Sequence, residues 1–262
     1  METIQVTDAA GVRTITLNRP ESLNAVNEAM TSELASALKD AGRDASVRCL
    51  VLTGSGRAFC VGQDVKSLKT QAAAGTPMDF AAALRRRYNP VVQRLMSLEI
   101  PTIAGINGVA AGAGWSLALA CDLRVAVDSA SFVSAFSKIG LLPDSGMTMT
   151  LPRLVGYSRA LEIIWLSDPI TAAQAQSLGL VNQVVEQAKF GEILTALATR
   201  LGASATRGLA MAKRAVGASF YNDPDAQLEY EAQLQGAAGQ TSDHGEGVAA
   251  FLEKRAPRFT GR

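Results

Sequence analysis

The stretch GLLPDSGMTMTLP, residues 140–152, contains one side chain that could do acid–base chemistry. Asp144 is the only charged residue between Lys138 and Arg153, and most of its neighbours are apolar. A carboxyl group in apolar surroundings has a raised pKa and can act as a general base or acid. An aspartate before Ser-Gly and a helix-like stretch is also typical of a helix N-cap. Taken alone, the pattern favours the cap over catalysis.

Two segments rich in glycine and small residues follow predicted strands and could present backbone N–H groups to a ligand. RAFCVGQD (57–64) follows a predicted strand at 48–53, and NGVAAGAGWS (107–116) follows another at 102–106 and leads into a helix. A helix N-terminus can bind an anion or a developing oxyanion. Neither segment matches GxGxxG or GxxxxGK[ST], which argues against nucleotide phosphate binding of those kinds. Each segment alone is more typical of a turn than of a site.

Composition narrows the class of protein. The 262 residues carry 25 basic and 24 acidic side chains, so neither nucleic acid nor an anionic membrane is expected as a partner. Three scattered cysteines argue against a disulfide framework, and the N-terminus lacks a signal-peptide pattern. We therefore expect a soluble, cytoplasmic protein. The single histidine, His244, argues against a His-rich zinc site.

Hydrophobic periodicity predicts an α/β protein with a helical C-terminal part. Strands are predicted at 2–7, 12–17, 48–53, 102–106, 123–127, 130–133 and 181–185. Helices are predicted at 27–41, 77–98, 158–166, 171–178, 188–201, 205–218, 223–238 and 245–255, with Pro90 starting or kinking the second. No linker separates the helical part, so it should pack on the body or on a neighbouring subunit.

Seven segments in order carry a resemblance that covers nearly the whole chain. They are LNRPESLNAVN (17–27), GSGRAFCVGQD (54–64), IPTIAGINGVAAGAG (100–114), ALACDLRVA (118–126), FSKIGLLPDSGMT (136–148), LPRLVG (151–156) and EGVAAFLEKRAPRFTG (246–261). The sequence closely resembles the enoyl-CoA hydratase/isomerase (crotonase) superfamily. Single glycine turns would not align in this way by chance.

The resemblance implies a crotonase-type spiral of ββα units. Residues 1–200 would form the spiral core, and residues 201–262 a helical C-terminal trimerisation region packing on the core or a neighbouring subunit. The chain would assemble as a homotrimer or a dimer of trimers. Its substrate would be an acyl-CoA thioester, with coenzyme A part of the substrate, and no separate cofactor or metal is implied.

The resemblance also assigns catalytic roles. The backbone N–H groups of Gln63 and Ala113 would stabilise a thioester enolate. The two glutamates of the hydratases map to Ser116 and Phe136, so Asp144 remains as a single acid/base. This pattern is similar to the isomerase branch, most of all the 1,2-epoxyphenylacetyl-CoA and 3,2-enoyl-CoA isomerases. A hydratase using Asp144 alone and a non-catalytic acyl-CoA-binding subunit are the alternatives.

Five residues are implied to contact coenzyme A: Arg19, Leu23, Ala25, Phe251 and Lys254. The first three would act largely through their backbone. For Phe251 and Lys254, CoA contact and a solvated helix end are equally favoured. Trp115 and Met147 are bulkier than usual in the family at their positions and are expected to reshape the acyl pocket. Cys60 has no neighbouring base in the sequence and is expected to be a packed residue rather than a nucleophile.

Overall fold

The computed structural model describes residues 1–64 and 79–262, which form two β-sheets and their covering helices. The strands in these residues are β1 (Ile4–Ala9), β2 (Val12–Leu17), β3 (Cys49–Gly54), β4 (Ala58–Cys60), β5 (Thr102–Ile106), β6 (Val109–Ala111), β7 (Leu123–Val127), β8 (Ser131–Val133), β9 (Ile170–Thr171) and β10 (Gln183–Val185).

The helices run through the whole described chain and dominate after β8. They are α1 (Glu28–Ala41), α2 (Phe80–Ala83), a π-helical turn (Leu84–Tyr88), α3 (Asn89–Ser97), α4 (Ala113–Leu119), α5 (Met147–Val155), α6 (Tyr157–Leu166), α7 (Ala172–Ser177), α8 (Phe190–Gly202), α9 (Thr206–Ala218), α10 (Pro224–Gly239) and α11 (Ser242–Glu253). Short 3₁₀ turns lie at Pro20–Ser22, Ser137–Ile139 and Gln187–Lys189.

The larger sheet has the strand order β1-β2-β3-β5-β7-β10. Only the β1–β2 hairpin is antiparallel, and the remaining pairs are parallel. Every residue of β5 is buried, as expected for a parallel strand covered on both faces. Helix α8 packs closely on this sheet, because a Cβ built on Gly105 would lie 2.5 Å from a methyl of Leu194.

The smaller sheet has the order β4-β6-β8-β9, and its first three strands are parallel. Each of β3, β5 and β7 in the larger sheet is followed by β4, β6 or β8 in the smaller one. This repeated step is the predicted spiral of ββα units. The carboxyl ends of β4, β6 and β8 therefore lie side by side, which is where ligands bind in parallel sheets.

Several short elements were not predicted. Strands β4 and β6 have three residues each and lie inside the segments interpreted as turns. Strand β9 was also missed, and α5, which contains Pro152, was predicted only as a helix-like stretch after Asp144 without bounds. Short strands and a proline-containing helix carry too little periodic signal, and tertiary pairing decides them.

The predicted helix at 77–98 contains a π-helical turn. Its first two residues lie outside the described residues, and helix is present from Phe80. The π-helical turn Leu84–Tyr88 interrupts it before α3 begins. Pro90 is the second residue of α3 and directly follows the π-helical turn, so the irregularity in the helix lies at the proline that was predicted to start or kink it.

The helical C-terminal part is confirmed, and α11 (Ser242–Glu253) begins three residues before the helix predicted at 245–255. In the described part of the chain, no helix has the length and apolar character needed to cross a membrane. The division at residue 200 and the trimer stay predictions.

Candidate active site

The two turns predicted to bind an oxyanion lie next to each other. Gly62 has φ +88°, and a Cβ built on it would be 3.3 Å from the backbone nitrogen of Ala113. The next residue, Gln63, forms an isolated parallel bridge with Val26. Ala113 is the first residue of α4, where a backbone N–H has no acceptor within the helix. The turn after β4 and the start of α4 thus converge, as predicted for Gln63 and Ala113.

A glycine sets how closely α4 approaches β4. A Cβ built on Gly114 would lie only 2.3 Å from the carbonyl oxygen of Cys60, so no other residue fits there without movement. Because Gly114 follows Ala113 directly, this contact holds the start of α4 against the end of β4. The close approach determines the spacing of the two turns.

An ion pair holds the first turn (residues 57–64) against the N-terminal segment 17–25. The guanidinium of Arg19 lies 2.9 Å from the carboxylate of Asp64, and both side chains are largely buried. Arg19 also donates to the carbonyl of Ala25, and the side-chain amide of Asn24 donates to the carbonyl of Ala58 at 2.8 Å. These contacts tie the segment LNRPESLNA to the loop that carries Gln63.

Asp144 lies on the loop before α5 and is half-buried. The Oγ of Ser145 donates a hydrogen bond of 2.9 Å to its carboxylate. The N-cap of α5 is Gly146, with no side-chain cap, and the Asp144 group that accepts from Met147 N is its backbone carbonyl. The N-cap interpretation of Asp144 is therefore wrong, and its carboxylate is available for another role.

Burial makes the Asp144 carboxylate more basic. Removal from water is the largest effect and raises the pKa of this carboxyl above its ordinary value of 3.8. The hydrogen bond from Ser145 acts in the opposite direction and lowers the pKa. A carboxylate with a raised pKa accepts a proton more readily than an exposed one.

Ser116 connects Asp144 to the second turn. Its buried Oγ lies 3.0 Å from the carbonyl oxygen of Asp144 and 3.3 Å from that of Gly112. Ser116 is three residues after Ala113, so the two share one face of α4. The Asp144 loop is thereby held one helical turn from the predicted oxyanion site. No sequence pattern predicted this contact, because it joins residues 28 positions apart.

Comparison with known proteins identifies the family. The family model described as "Enoyl-CoA hydratase/isomerase" matches residues 7–262. The chain belongs to the enoyl-CoA hydratase/isomerase family. A 1,2-epoxyphenylacetyl-CoA isomerase of Escherichia coli is 45% identical over 252 residues, covering 96% of both chains. A "probable enoyl-CoA hydratase" of Rhodobacter capsulatus is also 45% identical, over 99% of this chain and 98% of that protein.

Solved structures of family members have the same fold. An enoyl-CoA hydratase/isomerase from Mycobacterium abscessus is 38% identical and has a TM-score of 0.91, covering 99% of this chain and all of that one. An enoyl-CoA hydratase from Bacillus anthracis has a TM-score of 0.93 at 33% identity, covering 100% of both chains. The predicted crotonase-type spiral is therefore confirmed.

The hydratase/isomerase family includes both activities, and two positions bear on the choice between them. Ser116 and Phe136, which the resemblance aligns with the glutamates of hydratases, are both buried. The ring of Phe136 lies near the second turn, since a Cβ on Gly112 would be 3.9 Å from it. Neither side chain has a carboxylate to position a water molecule.

The structure tests the prediction for Cys60 but not those for Trp115 and Met147. Burial raises the pKa of the Cys60 thiol to about 12, so it stays protonated, and the prediction that it is a packed residue is confirmed. Trp115 is fully buried with its ring centroid 5.7 Å from that of Phe132. The effect of Trp115 and Met147 on an acyl pocket stays a prediction.

The predicted CoA-binding residues fall into two groups. Arg19, Leu23 and Ala25 lie together beside the first turn, where the carbonyl of Leu23 accepts from Val61 N. Phe251 and Lys254 lie on the exposed end of α11, and Phe251 is 83% exposed. The structure therefore brings the first group, but not the second, into contact with the loop that carries Gln63. CoA contact stays a prediction for all five.

The Arg19–Asp64 pair leads to a prediction about stability. Replacing Asp64 by asparagine leaves a largely buried guanidinium without its counterion. We expect the free energy of unfolding to fall by about 1–3 kcal/mol, as for other hydrogen bonds to charged groups. Urea unfolding followed by circular dichroism measures it.

A matched control exists on the β1–β2 hairpin. Asp8 pairs with Arg13 at 2.6 Å, but the Asp8 side chain is half exposed. Asp8→Asn should cost less than Asp64→Asn, because the Asp8 carboxylate is half exposed to water and Arg13 keeps Asp44 as a second partner. Equal losses in the free energy of unfolding would contradict the conclusion that the buried Arg19–Asp64 ion pair stabilises the first turn more than an exposed carboxylate could.

Proposed function

We propose that this protein is an acyl-CoA isomerase that moves a double bond, or opens a ring epoxide, through a thioester enolate. Asp144 is the single acid/base, and the backbone N–H groups of Gln63 and Ala113 bind the enolate oxygen. The observation that carries the proposal is the half-buried Asp144, with its raised pKa, held one helical turn from the convergent turns. One relative at 45% identity is named an isomerase and another at 45% a probable hydratase, so identity supports the family and the Asp144 geometry carries the choice of activity.

The proposed reaction needs only one carboxylate. In a 3-enoyl-CoA, the Asp144 carboxylate takes a proton from C2, and the electron pair moves into the thioester carbonyl to give an enolate. The enolate then collapses, C4 takes the same proton from Asp144, and the double bond now joins C2 and C3. No proton is gained or lost, and no cofactor is used besides the coenzyme A of the substrate.

Hydration of a 2-enoyl-CoA is the second candidate. It is supported by the relatives named as hydratases, including a 2,3-dehydroadipyl-CoA hydratase of Escherichia coli at 37% identity. Hydration must position and deprotonate a water molecule as well as protonate C2. With Ser116 and Phe136 at the positions of the hydratase glutamates, Asp144 would have to do both, so we rank hydration second. A non-catalytic acyl-CoA-binding subunit ranks third, because binding alone does not require a half-buried carboxylate with a raised pKa.

A paired assay separates these candidates. Purified protein is given 3-hexenoyl-CoA and crotonyl-CoA, and the products are separated by liquid chromatography. Formation of 2-hexenoyl-CoA without 3-hydroxybutyryl-CoA supports the isomerase. Water addition to crotonyl-CoA at a comparable rate would overturn it in favour of the hydratase, and binding of both thioesters without turnover would favour the non-catalytic subunit.

The proposed assembly is a homotrimer or a dimer of trimers in the cytoplasm. Large apolar side chains are exposed on the C-terminal helices, among them Leu228, Phe251 and Leu252. Exposed apolar side chains on one region are typical of a surface covered in an oligomer. On this proposal Phe251 and Lys254 contact the coenzyme A of an adjacent subunit, which would account for their distance from the first turn.

The pKa of Asp144 predicts the acid limb of the pH–rate profile. The base must be ionised to take the C2 proton, so kcat/KM falls as pH drops through its pKa. Because burial raises that pKa, we expect the midpoint to lie above 3.8. Ser145→Ala removes the hydrogen bond that lowers the pKa and should move the midpoint further up. An unchanged or lower midpoint in Ser145→Ala would contradict Asp144 as the titrating base.

A further inference from the structure

A cavity of about 490 Å³ lies at the end of α4 that is remote from the candidate active site. Its walls include Leu119 and Cys121 at the C-terminal end of α4, and Leu209 and Val216 on α9. Ala113 begins α4, six residues before Leu119, so about 9 Å of helix separates the proposed oxyanion donor from the cavity. The cavity is therefore not part of the site formed by the two turns.

Most side chains that line the cavity are apolar, and its volume lies in the range of small-molecule sites, about 300–1,000 Å³. Of the described residues that line it, Asp122 is the only acidic one, and its carboxylate lies 3.0 Å from the Lys213 ammonium. Asp122 also accepts hydrogen bonds from the backbone N–H and the hydroxyl of Thr102. This ion pair is satisfied within the protein and does not require a ligand.

Arg153, in the last turn of α5, is the other cation in the cavity wall, and among the described residues it has no carboxylate partner. Residues 65–78, which lie outside the described chain, contain no aspartate or glutamate. Within the described chain, the Arg153 side chain donates one hydrogen bond, to the Tyr221 hydroxyl at 2.5 Å. Because a guanidinium has five N–H donors, this one retains donors for an anion.

Two aromatic rings hold the Arg153 guanidinium at the edge of the cavity. Its central carbon lies 4.4 Å from the ring centroid of Phe220 and 5.0 Å from that of Tyr221. Stacking on aromatic faces attracts the cation and limits its rotation, so the donors are in place before a ligand binds. A planar guanidinium held in this way favours a carboxylate, which it can bind with two parallel hydrogen bonds. The apolar walls favour a hydrocarbon or aryl body behind that carboxylate.

We propose that this cavity binds a small organic acid, with its apolar body between α4 and α9 and its carboxylate on Arg153. The occupant is a second ligand, distinct from the reacting acyl group. Helix α4 leads from the cavity to Ala113, and α5 leads from it to the loop of Asp144, so a bound acid contacts both helices. The inference does not depend on whether the activity is isomerisation or hydration.

Isothermal titration with octanoate and octan-1-ol tests the proposal, because the two compounds have the same chain length and differ in the charge of the head group. For the wild-type protein, the Kd of octanoate should be about tenfold lower than that of octan-1-ol, a difference of about 1.4 kcal/mol. Arg153→Gln should raise the Kd of octanoate about tenfold and change that of octan-1-ol by less than about twofold. A wild-type preference that survives in Arg153→Gln would overturn the inference.

Two further variants show where the compounds bind. Arg159→Gln is the matched control, because Arg159 lies half exposed on α6 and pairs with Glu162, and it should keep the wild-type Kd for both compounds. Ala212→Leu adds volume to the α9 wall of the cavity and should weaken both compounds about tenfold. If Arg153→Gln does not fold, the wild-type preference and Ala212→Leu decide together, and the absence of either effect overturns the inference.

The remaining controls separate this cavity from the catalytic site and from a contact between subunits. Saturating acetyl-CoA should leave the Kd of octanoate within about twofold, and competition between the two would place octanoate in the catalytic site instead. Failure of octanoate to bind with a Kd below about 1 mM would overturn the inference. A changed oligomeric state of Ala212→Leu in sedimentation velocity would then assign the cavity to a second copy of the chain.

Discussion

Replacing Asp144 by asparagine is expected to lower kcat for isomerisation of 3-hexenoyl-CoA by about 10²–10⁴-fold. The amide cannot take a proton from C2 or deliver one to C4. On the alignment that the resemblance implies, Ser116 and Phe136 replace the hydratase glutamates, so neither of them supplies a second carboxylate. The KM should change little, because the thioester contacts proposed for the N–H groups of Gln63 and Ala113 would remain.

The same variant should fold normally. Asparagine has the shape of aspartate and can still accept the hydrogen bond from Ser145. Burial raises the pKa of Asp144, which means that the folded state holds the ionised form less well than the unfolded state does. Removing the charge should therefore leave the melting temperature unchanged or slightly higher.

Steady-state kinetics and thermal unfolding, measured side by side, check both expectations. Asp128→Asn is a suitable control, because Asp128 is exposed just after β7. It should have wild-type kcat. Wild-type turnover in Asp144→Asn would remove Asp144 from the mechanism, whereas loss of turnover together with unfolding would reassign it to a structural role.

Replacing Ala113 by proline is expected to have the next largest effect, a loss of about 10²–10³-fold in kcat. Proline removes one backbone N–H and therefore one of the two donors proposed to bind the enolate oxygen. Losing such a donor typically costs about 3–4 kcal/mol of transition-state stabilisation. No side-chain substitution tests a backbone donor as directly.

The position suits this substitution. Ala113 is the first residue of α4, where proline is favoured because the N–H lacks an intrahelical acceptor and φ is already helical. The preceding Gly112 has φ 50° and ψ −130°, outside the α region that a following proline disfavours. We therefore expect α4 to persist in the variant.

Tyr157→Pro provides the matched control. Tyr157 is the first residue of α6, it also follows a glycine with positive φ, and it is exposed. This variant should have wild-type kcat and a similar change in melting temperature. Wild-type kcat in Ala113→Pro would exclude its N–H from the oxyanion site. A change in KM without a change in kcat would assign it to ground-state binding instead.

The sequence by itself determined the family, the longer strands of the larger sheet and the residues of the two turns. The glycines at 62, 112 and 114 are informative because close backbone approach tolerates few other residues. The isolation of Asp144 among apolar residues also predicted a perturbed carboxyl. These are local features, visible without knowing what packs against them.

Only the tertiary structure decided how those residues meet. Strands β4 and β6 exist because each pairs with a neighbour in the smaller sheet, and three residues carry no periodicity of their own. The cap interpretation of Asp144 failed for a similar reason. The Asp144 carboxylate accepts a hydrogen bond from Ser145 instead of capping α5. Its backbone carbonyl accepts one from Ser116 of α4, a contact that local sequence does not predict.

The ion pair of Arg19 with Asp64 is also tertiary. It joins side chains that are 45 residues apart in the chain. Burial and the distance between charges set the pKa of a carboxyl or phenol, and neither quantity is encoded in local spacing. The sequence therefore predicted which residues could do the chemistry, and packing decided which of them face one another.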